Sequence, residues 1–259
     1  MKLNGKVGIV TGGGSGIGLA IAETFAKEGA KTVVADLDEK GGREAVEKIQ
    51  KMGGNSVFVK TDVTKSEDCK RLIEETVKSF GRIDILVNNA GIQFVSPITE
   101  FPEEKWNLLI GVMLTGPFFL TKYALPYMIG QKGGRIINMS SIHGLIGVKF
   151  KSAYVSAKHG IIGLTKVTAL EMAEHGITAN AICPTFVRTP LVEKQIDDQA
   201  KAHGISREEV MEKVILAEAP MKRMLEPEEV ADLVVYLAGD SARNITGASI
   251  AIDEGWTAQ

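Results

Sequence analysis

Along this chain, short apolar runs rich in β-branched residues alternate with longer stretches whose apolar residues recur at helical spacing. Val7 to Thr11, Thr32 to Ala35, Ser56 to Lys60, Ile85 to Val87, Arg135 to Met139, Thr178 to Ile182 and Ser249 to Ile252 read as strands. Runs with little polar alternation belong in a parallel sheet covered on both faces. Helices are expected over Leu19 to Glu28, Glu39 to about Met52, Glu103 to about Gly130 and Ala153 to about Glu174. Another starts at Pro227, where a proline and two acids suit the positive end of a helix. The pattern predicts one α/β domain over residues 1–259: a doubly wound, seven-stranded parallel sheet with helices on both faces. Thr185 to about Glu226 breaks the alternation. It is charged, helix-prone and follows the sixth strand at the carboxyl edge, where such sheets bind ligands. It is therefore read as a small helical substrate lid, with a pair of plain surface helices as the alternative.

Beyond the first strand comes Gly12-Gly13-Gly14-Ser15-Gly16-Ile17-Gly18. A diphosphate site requires strand, glycine turn and helix in this order, because glycines let the backbone approach the phosphates and the helix start attracts them. The spacing differs from Gly-x-Gly-x-x-Gly, and a tight turn is the plainer reading of the glycines alone. Asp36 ends the second strand, placed to hydrogen-bond ribose hydroxyls and repel a 2′-phosphate, which points to NAD over NADP despite Lys40 and Arg43 nearby. By itself Asp36 reads as a helix cap or turn residue. Asp62, before Val63, is read either as a cap for the next helix or as a partner for the adenine amino group. Asn88-Asn89-Ala90-Gly91 offers small residues and amides to a ribose, or forms an ordinary hydrogen-bonded loop.

Composition narrows the function classes. Apolar residues are 44% and charged residues 24%, ordinary for a globular enzyme. A net charge of −2 with mixed signs gives no case for nucleic acid or a membrane surface, so the expected partner is a small molecule. Cys69 and Cys183 lack metal-ligand spacing, and neither a disulfide framework nor a metal site is expected. No apolar signal region precedes the first strand, and no apolar run approaches the roughly 18 residues a membrane span needs, so a cytoplasmic location is expected.

Chemistry concentrates between Ser141 and Lys158. If the segment from Tyr154 to Lys158 is helical, the i,i+4 spacing puts phenol and ammonium on one face. A tyrosine with a pKa of about 10 is a poor base near neutrality, and a fixed cation is expected to favour its phenolate. Ser141 follows a strand-like run, which can present its hydroxyl to the same spot. Ser141 would hold a carbonyl or alcohol oxygen, Tyr154 exchange its proton and Lys158 tune Tyr154. The pair alone is as well explained by an exposed aromatic beside a solvated lysine.

Together, Thr11-Gly12-x-x-x-Gly16-x-Gly18, Asn88-Asn89-Ala90-Gly91, Ser141 and Tyr154-x-x-x-Lys158 match the short-chain dehydrogenase/reductase family in order and spacing. The chain resembles that family over nearly its whole length. The resemblance implies a Rossmann sheet and a homotetramer built on the two long helices. It also implies a cofactor site of Gly12, Ser15, Gly16, Ile17, Gly18, Asp36, Asp62, Val63, Asn89, Ala90, Gly91, Tyr154, Lys158 and Pro184. In this likeness Thr189 and the backbone of Val187 receive the carboxamide, Tyr154 is the acid/base, and Lys158 also binds the nicotinamide ribose.

A narrower likeness, carried by segments such as Asn88 to Gln93, Lys151 to Gly160 and Gly255 to Gln259, is to family members acting on short 3-hydroxy acids. It implies that Gln93, His143, Lys151 and Gln195 hold the substrate carboxylate beside Ser141, Tyr154 and Phe186, while Trp256 closes the pocket. A carboxylate needs a cation and amide donors, and His143 and Lys151 flank Tyr154. Singly, these residues read as a loop histidine, a solvated lysine, ordinary polar residues and a core aromatic. Four positions depart from the pattern: Met113 replaces an asparagine linked to the proton relay, Thr185 a glycine, Phe186 a tryptophan and Glu254 a glycine. A rerouted relay and a roomier pocket are expected, while Glu254 has no evident purpose. The expected reaction is reversible hydride transfer between NAD and a hydroxy-acid substrate, D-3-hydroxybutyrate giving acetoacetate. The alternatives are a 3-oxoacyl thioester reductase, a sugar or polyol dehydrogenase, or a non-catalytic NAD-binding regulatory protein.

Overall fold

The structure, a computed structural model, describes residues 1–190, 192–193, 196–197, 200 and 204–258. Seven strands form one parallel sheet: β1 (Val7–Thr11), β2 (Lys31–Asp36), β3 (Ser56–Lys60), β4 (Ile85–Asn88), β5 (Gly134–Met139), β6 (Ile177–Pro184) and β7 (Ser249–Ile252). Their order is β3-β2-β1-β4-β5-β6-β7, so the winding reverses between β1 and β4. In such sheets ligands bind in the crevice outside the strand ends at that reversal.

Every residue of β1 is buried. Its successive side chains serve opposite faces, as a period of two requires. Val10 joins Phe25, Ile49 and Val234 in one apolar cluster, while Ile9 joins Leu72, Leu86, Leu120 and Ile136 in the other. Helices α1 (Gly16–Lys27), α2 (Glu39–Lys51) and, near the C-terminus, Pro227–Ala238 contribute to the first cluster. Helices α3 (Ser66–Phe80), α4 (Glu103–Ile110), α5 (Gly116–Gln131) and α6 (Ser152–Met172) lie among the remaining elements, with α3 packed on α5 and α6 on β6.

Most strands and helices run a residue or two beyond or short of the sequence reading, as β6 does at both ends, and two differences bear on the site. Helix α1 starts at Gly16, inside the glycine turn, because glycine flexibility there bends the chain and then yields at once to helix. The helical region from Glu103 contains a wider π-helical turn at Gly111–Thr115, which a hydrophobic pattern does not reveal. Residues Glu103–Gly130 also form a helix long and apolar enough, by composition, to cross a membrane, correcting the expectation that no run approached that length. Here its inner side packs on α3 and the sheet, burying Leu120, Ala124 and Met128.

The segment after β6 forms a flap with its own small core. Ile196, Val210, Ile215 and Met224 pack together, with Phe186 and Val192 against them. A capped turn of helix, α7 (Arg207–Val210), runs into a π-helical turn, and Pro227–Ala238 follows as α8. The flap is tied down where Val187 bridges to Leu225.

Candidate active site

Where the winding reverses, the sheet opens into a cavity of about 430 Å³. All the sequence-derived site residues line it except three. Gly18 lies beneath it, Trp256 stands behind one wall, and Gln195 falls outside the described residues.

The cofactor half begins at Gly12, whose φ of +63° suits glycine. A side chain at Gly18 would collide with the Gly12 carbonyl, so that glycine packs helix against turn. Ser15 precedes α1 in extended conformation and makes no side-chain cap, leaving the N–H groups of the helix start without that partner. This is a cradle for a diphosphate. At the end of β2, Asp36 accepts the Gly14 N–H at 2.9 Å and the Asp38 N–H at 3.0 Å. The cap of α2 is Asp38, which accepts the Lys40 N–H, so Asp36 is no helix cap. Its carboxylate is instead anchored at the cavity edge, where a ribose diol would lie. These features fit a dinucleotide.

Asp62 does not cap α3, whose cap position is Lys65. It receives the Thr64 N–H and hydroxyl at 3.1 and 2.6 Å. Burial opposes its charge, but these bonds and Lys65 outweigh it and hold the carboxyl below the usual range. Thr11 joins the two central strand ends: its hydroxyl accepts the N–H groups of Asn89 and Ala90, and its carbonyl accepts the Asn89 amide. Asn88 turns inward to Asn138, at 2.7 Å, and serves the fold.

The second half gathers Ser141, Tyr154 and Lys158. Ser141 follows β5 in extended conformation, donates to the Pro184 carbonyl at 3.4 Å and accepts the His143 N–H at 3.2 Å. Helix α6 carries Tyr154 and Lys158 on one face. Lys158 is 4% exposed, and its ammonium lies 5.5 Å from the Tyr154 ring centre and donates to the Met139 carbonyl at 2.6 Å. Burial lowers its pKa to about 8. Burial raises the Tyr154 phenol above its ordinary value, and the Ser141 hydroxyl draws it back. The Lys158 ammonium, anchored on the Met139 carbonyl, keeps its charge beside the Tyr154 ring, the arrangement expected from the spacing.

The adjoining wall brings together His143, Lys151 and Gln93. His143 is buried, its Nδ1 has no partner, and its ring meets Tyr154 edge-on at 6.3 Å. Burial, then the neighbouring Lys151 charge, pushes its pKa down to about 4. Lys151 precedes α6, and burial lowers its pKa too. Its ammonium lies 5.9 Å from the Phe186 ring, which leans on Trp256 at 6.0 Å. Gln93 uses its side-chain oxygen to accept the Phe94 N–H, leaving its amide nitrogen for the cavity.

Other features take their meaning only from the folded chain. The Thr185 hydroxyl is buried at the cavity without a partner, so this side chain occupies space that the expected glycine would leave open. Met113 lies beneath the site with Leu109, Ala153 and Ala157. Leu37 and Val192 add apolar lining that only the folded chain brings near.

Comparison with known proteins agrees with this geometry. A family model described as Enoyl-(Acyl carrier protein) reductase matches residues 12–257. An uncharacterized oxidoreductase of Bacillus subtilis (strain 168), YxjF, is 47% identical over 254 residues, covering 98% of this chain and 99% of that protein. The D-beta-hydroxybutyrate dehydrogenase of Rhizobium meliloti (strain 1021) is 47% identical over 256 residues, covering 98% and 99%. The enzyme of the same name from Cupriavidus necator is 44% identical over 257 residues, covering 99% and 100%.

Proposed function

This chain belongs to the short-chain dehydrogenase/reductase family, and we propose that it oxidises a short 3-hydroxy acid reversibly with NAD, D-3-hydroxybutyrate giving acetoacetate. The observation that carries the substrate is the wall beside Tyr154, where a desolvated Lys151 ammonium and an unpartnered His143 Nδ1 face one cavity. An ammonium withdrawn from water gains most from a carboxylate partner, and a small acid supplies one.

The residues of the cradle, from Gly12 to Ile17 with Asp36, would hold the dinucleotide. Bound there, NAD supplies the acceptor for the hydride leaving the substrate carbon. Asp36 favours NAD because a 2′-phosphate would meet its anchored charge. The nearby cations are already engaged, Arg43 by Glu39 at 2.7 Å and Lys40 by Glu44 at 3.9 Å.

Lys151, His143 and the Gln93 amide orient the acid by its carboxylate, with the hydroxyl towards Ser141 and Tyr154. The Ser141 hydroxyl steadies the reacting oxygen. The Tyr154 phenolate then takes the alcohol proton. Lys158, held to the Met139 carbonyl, keeps a cation beneath the phenol ring, while the side chain of Met113 lies outside the cavity lining and offers no proton path. The exposed apolar residues Phe118 on α5, with Val167 and Leu170 on α6, support a homotetramer interface.

NADH formation from purified protein tests this reading, with D-3-hydroxybutyrate compared against its L-enantiomer and neutral alcohols, each with NAD and with NADP. Selective turnover of the D-acid with NAD is expected. Turnover restricted to neutral alcohols would discard the substrate.

A further inference from the structure

Glu254 is costly in two ways. Its backbone has φ of +60°, a region that disfavours a residue with a side chain, and its carboxyl is buried with neither oxygen hydrogen-bonded. Glycine at this position would remove both costs.

The side chain of Glu254 is 1% exposed and lies 3.8 Å from the Arg223 Nε. The rest of that guanidinium grips Glu229 of α8 at 2.9 and 2.8 Å. Arg223 is two residues before Leu225, whose N–H donates to the Phe186 carbonyl at 3.0 Å and whose carbonyl accepts the Arg188 N–H. On the other side, Asp253 organises the turn after β7 by accepting the N–H groups of Gly255 and Thr257, which presents Trp256 to Phe186. The contact between Glu254 and Arg223 thus closes a ring of contacts around the Phe186 wall.

We propose that Glu254 is a positioning residue: through Arg223 it fastens the C-terminal turn to the end of the flap and holds Trp256 against Phe186, setting the width of the substrate pocket. This rests on the reading of that wall as the substrate's. Arg223 is the cation facing Glu254; Glu229 and Asp253 face it as acids, and Glu226 faces Arg223. Burial raises the Glu254 carboxyl above the usual range while Arg223 opposes. The fastening therefore tightens as pH rises and the carboxylate forms.

The test uses the full chain with Glu254→Gly and Glu254→Gln. Both should raise KM for D-3-hydroxybutyrate by about tenfold, a loss a small misplacement readily causes, while KM for NAD stays unchanged. The glycine variant should melt no lower than the parent, which separates positioning from folding. Unchanged KM for the acid, or an equal rise for NAD, would overturn the inference. If no hydroxy acid is turned over, the functional reading fails on its own, and a second measurement still decides this one. In a Trp106→Phe background, Trp256 fluorescence should shift with pH, and Glu254→Gln should abolish the shift. The same shift in both chains would overturn the inference.

Discussion

Replacing Lys151 with methionine removes one charge and keeps most of the apolar stem. In the folded chain Lys151 faces the cavity beside His143, its ammonium stripped of much of its water and 5.9 Å from the Phe186 ring. A hydrogen bond to a charged group contributes about 1.5–3 kcal/mol. At about 1.4 kcal/mol per factor of ten, its loss lowers kcat/KM for a carboxylate substrate roughly ten- to a hundredfold. The effect should lie mostly in KM, since the carboxylate is bound in ground and transition states alike. Neutral alcohols should be affected little, and the fold should be no weaker because a buried charge has gone. Steady-state NADH formation with D-3-hydroxybutyrate and a neutral secondary alcohol, in parent and variant, reads all of this. Equal losses for acid and alcohol, or none for the acid, would refute an anion site at Lys151.

Tyr154→Phe should abolish turnover while NAD binding, followed by calorimetry, persists, because the ring stays and only the proton carrier is lost. Asp36→Ser should narrow the preference for NAD over NADP, measured as the ratio of kcat/KM values, by roughly tenfold or more as the repelling charge disappears. His143 gives a stability signature in acid. Its folded pKa of about 4 lies below its ordinary 6.5, so the unfolded chain takes the proton first and stability falls as pH drops from 6.5 towards 4. Denaturant melts should show His143→Asn losing less stability than the parent over that window, by about 2–3 kcal/mol; equal slopes would count against a buried neutral His143.

The strands were legible because their apolar runs, such as Val7–Thr11, are buried on both faces and tolerate few polar residues. The site was legible where chemistry dictates residue type and spacing, as at Tyr154 and Lys158 on one helix face. Sequence spacing is silent on which backbone groups each side chain meets. It placed Lys158 near Tyr154 but could not show the Met139 carbonyl that anchors the ammonium. It offered Asp36 as a possible cap, but Asp38 takes that role and frees Asp36 for the cavity edge. The π-helical turn at Gly111–Thr115 has no periodic signature, and the unpartnered Thr185 hydroxyl appears only once β6 meets the cavity. Trp256 and Phe186 were each legible as candidate pocket residues; that one backs the other depends on the turn set by Asp253.

Isotope transfer tests the central claim most directly. D-3-hydroxybutyrate carrying deuterium at C3 is incubated with NAD and the protein, and both products are examined by mass spectrometry. The account predicts acetoacetate and singly deuterated NADH in equal amounts, formed more slowly than with the protium substrate. Acetoacetate without label on the cofactor, or no reaction of this acid alongside oxidation of others, would contradict it.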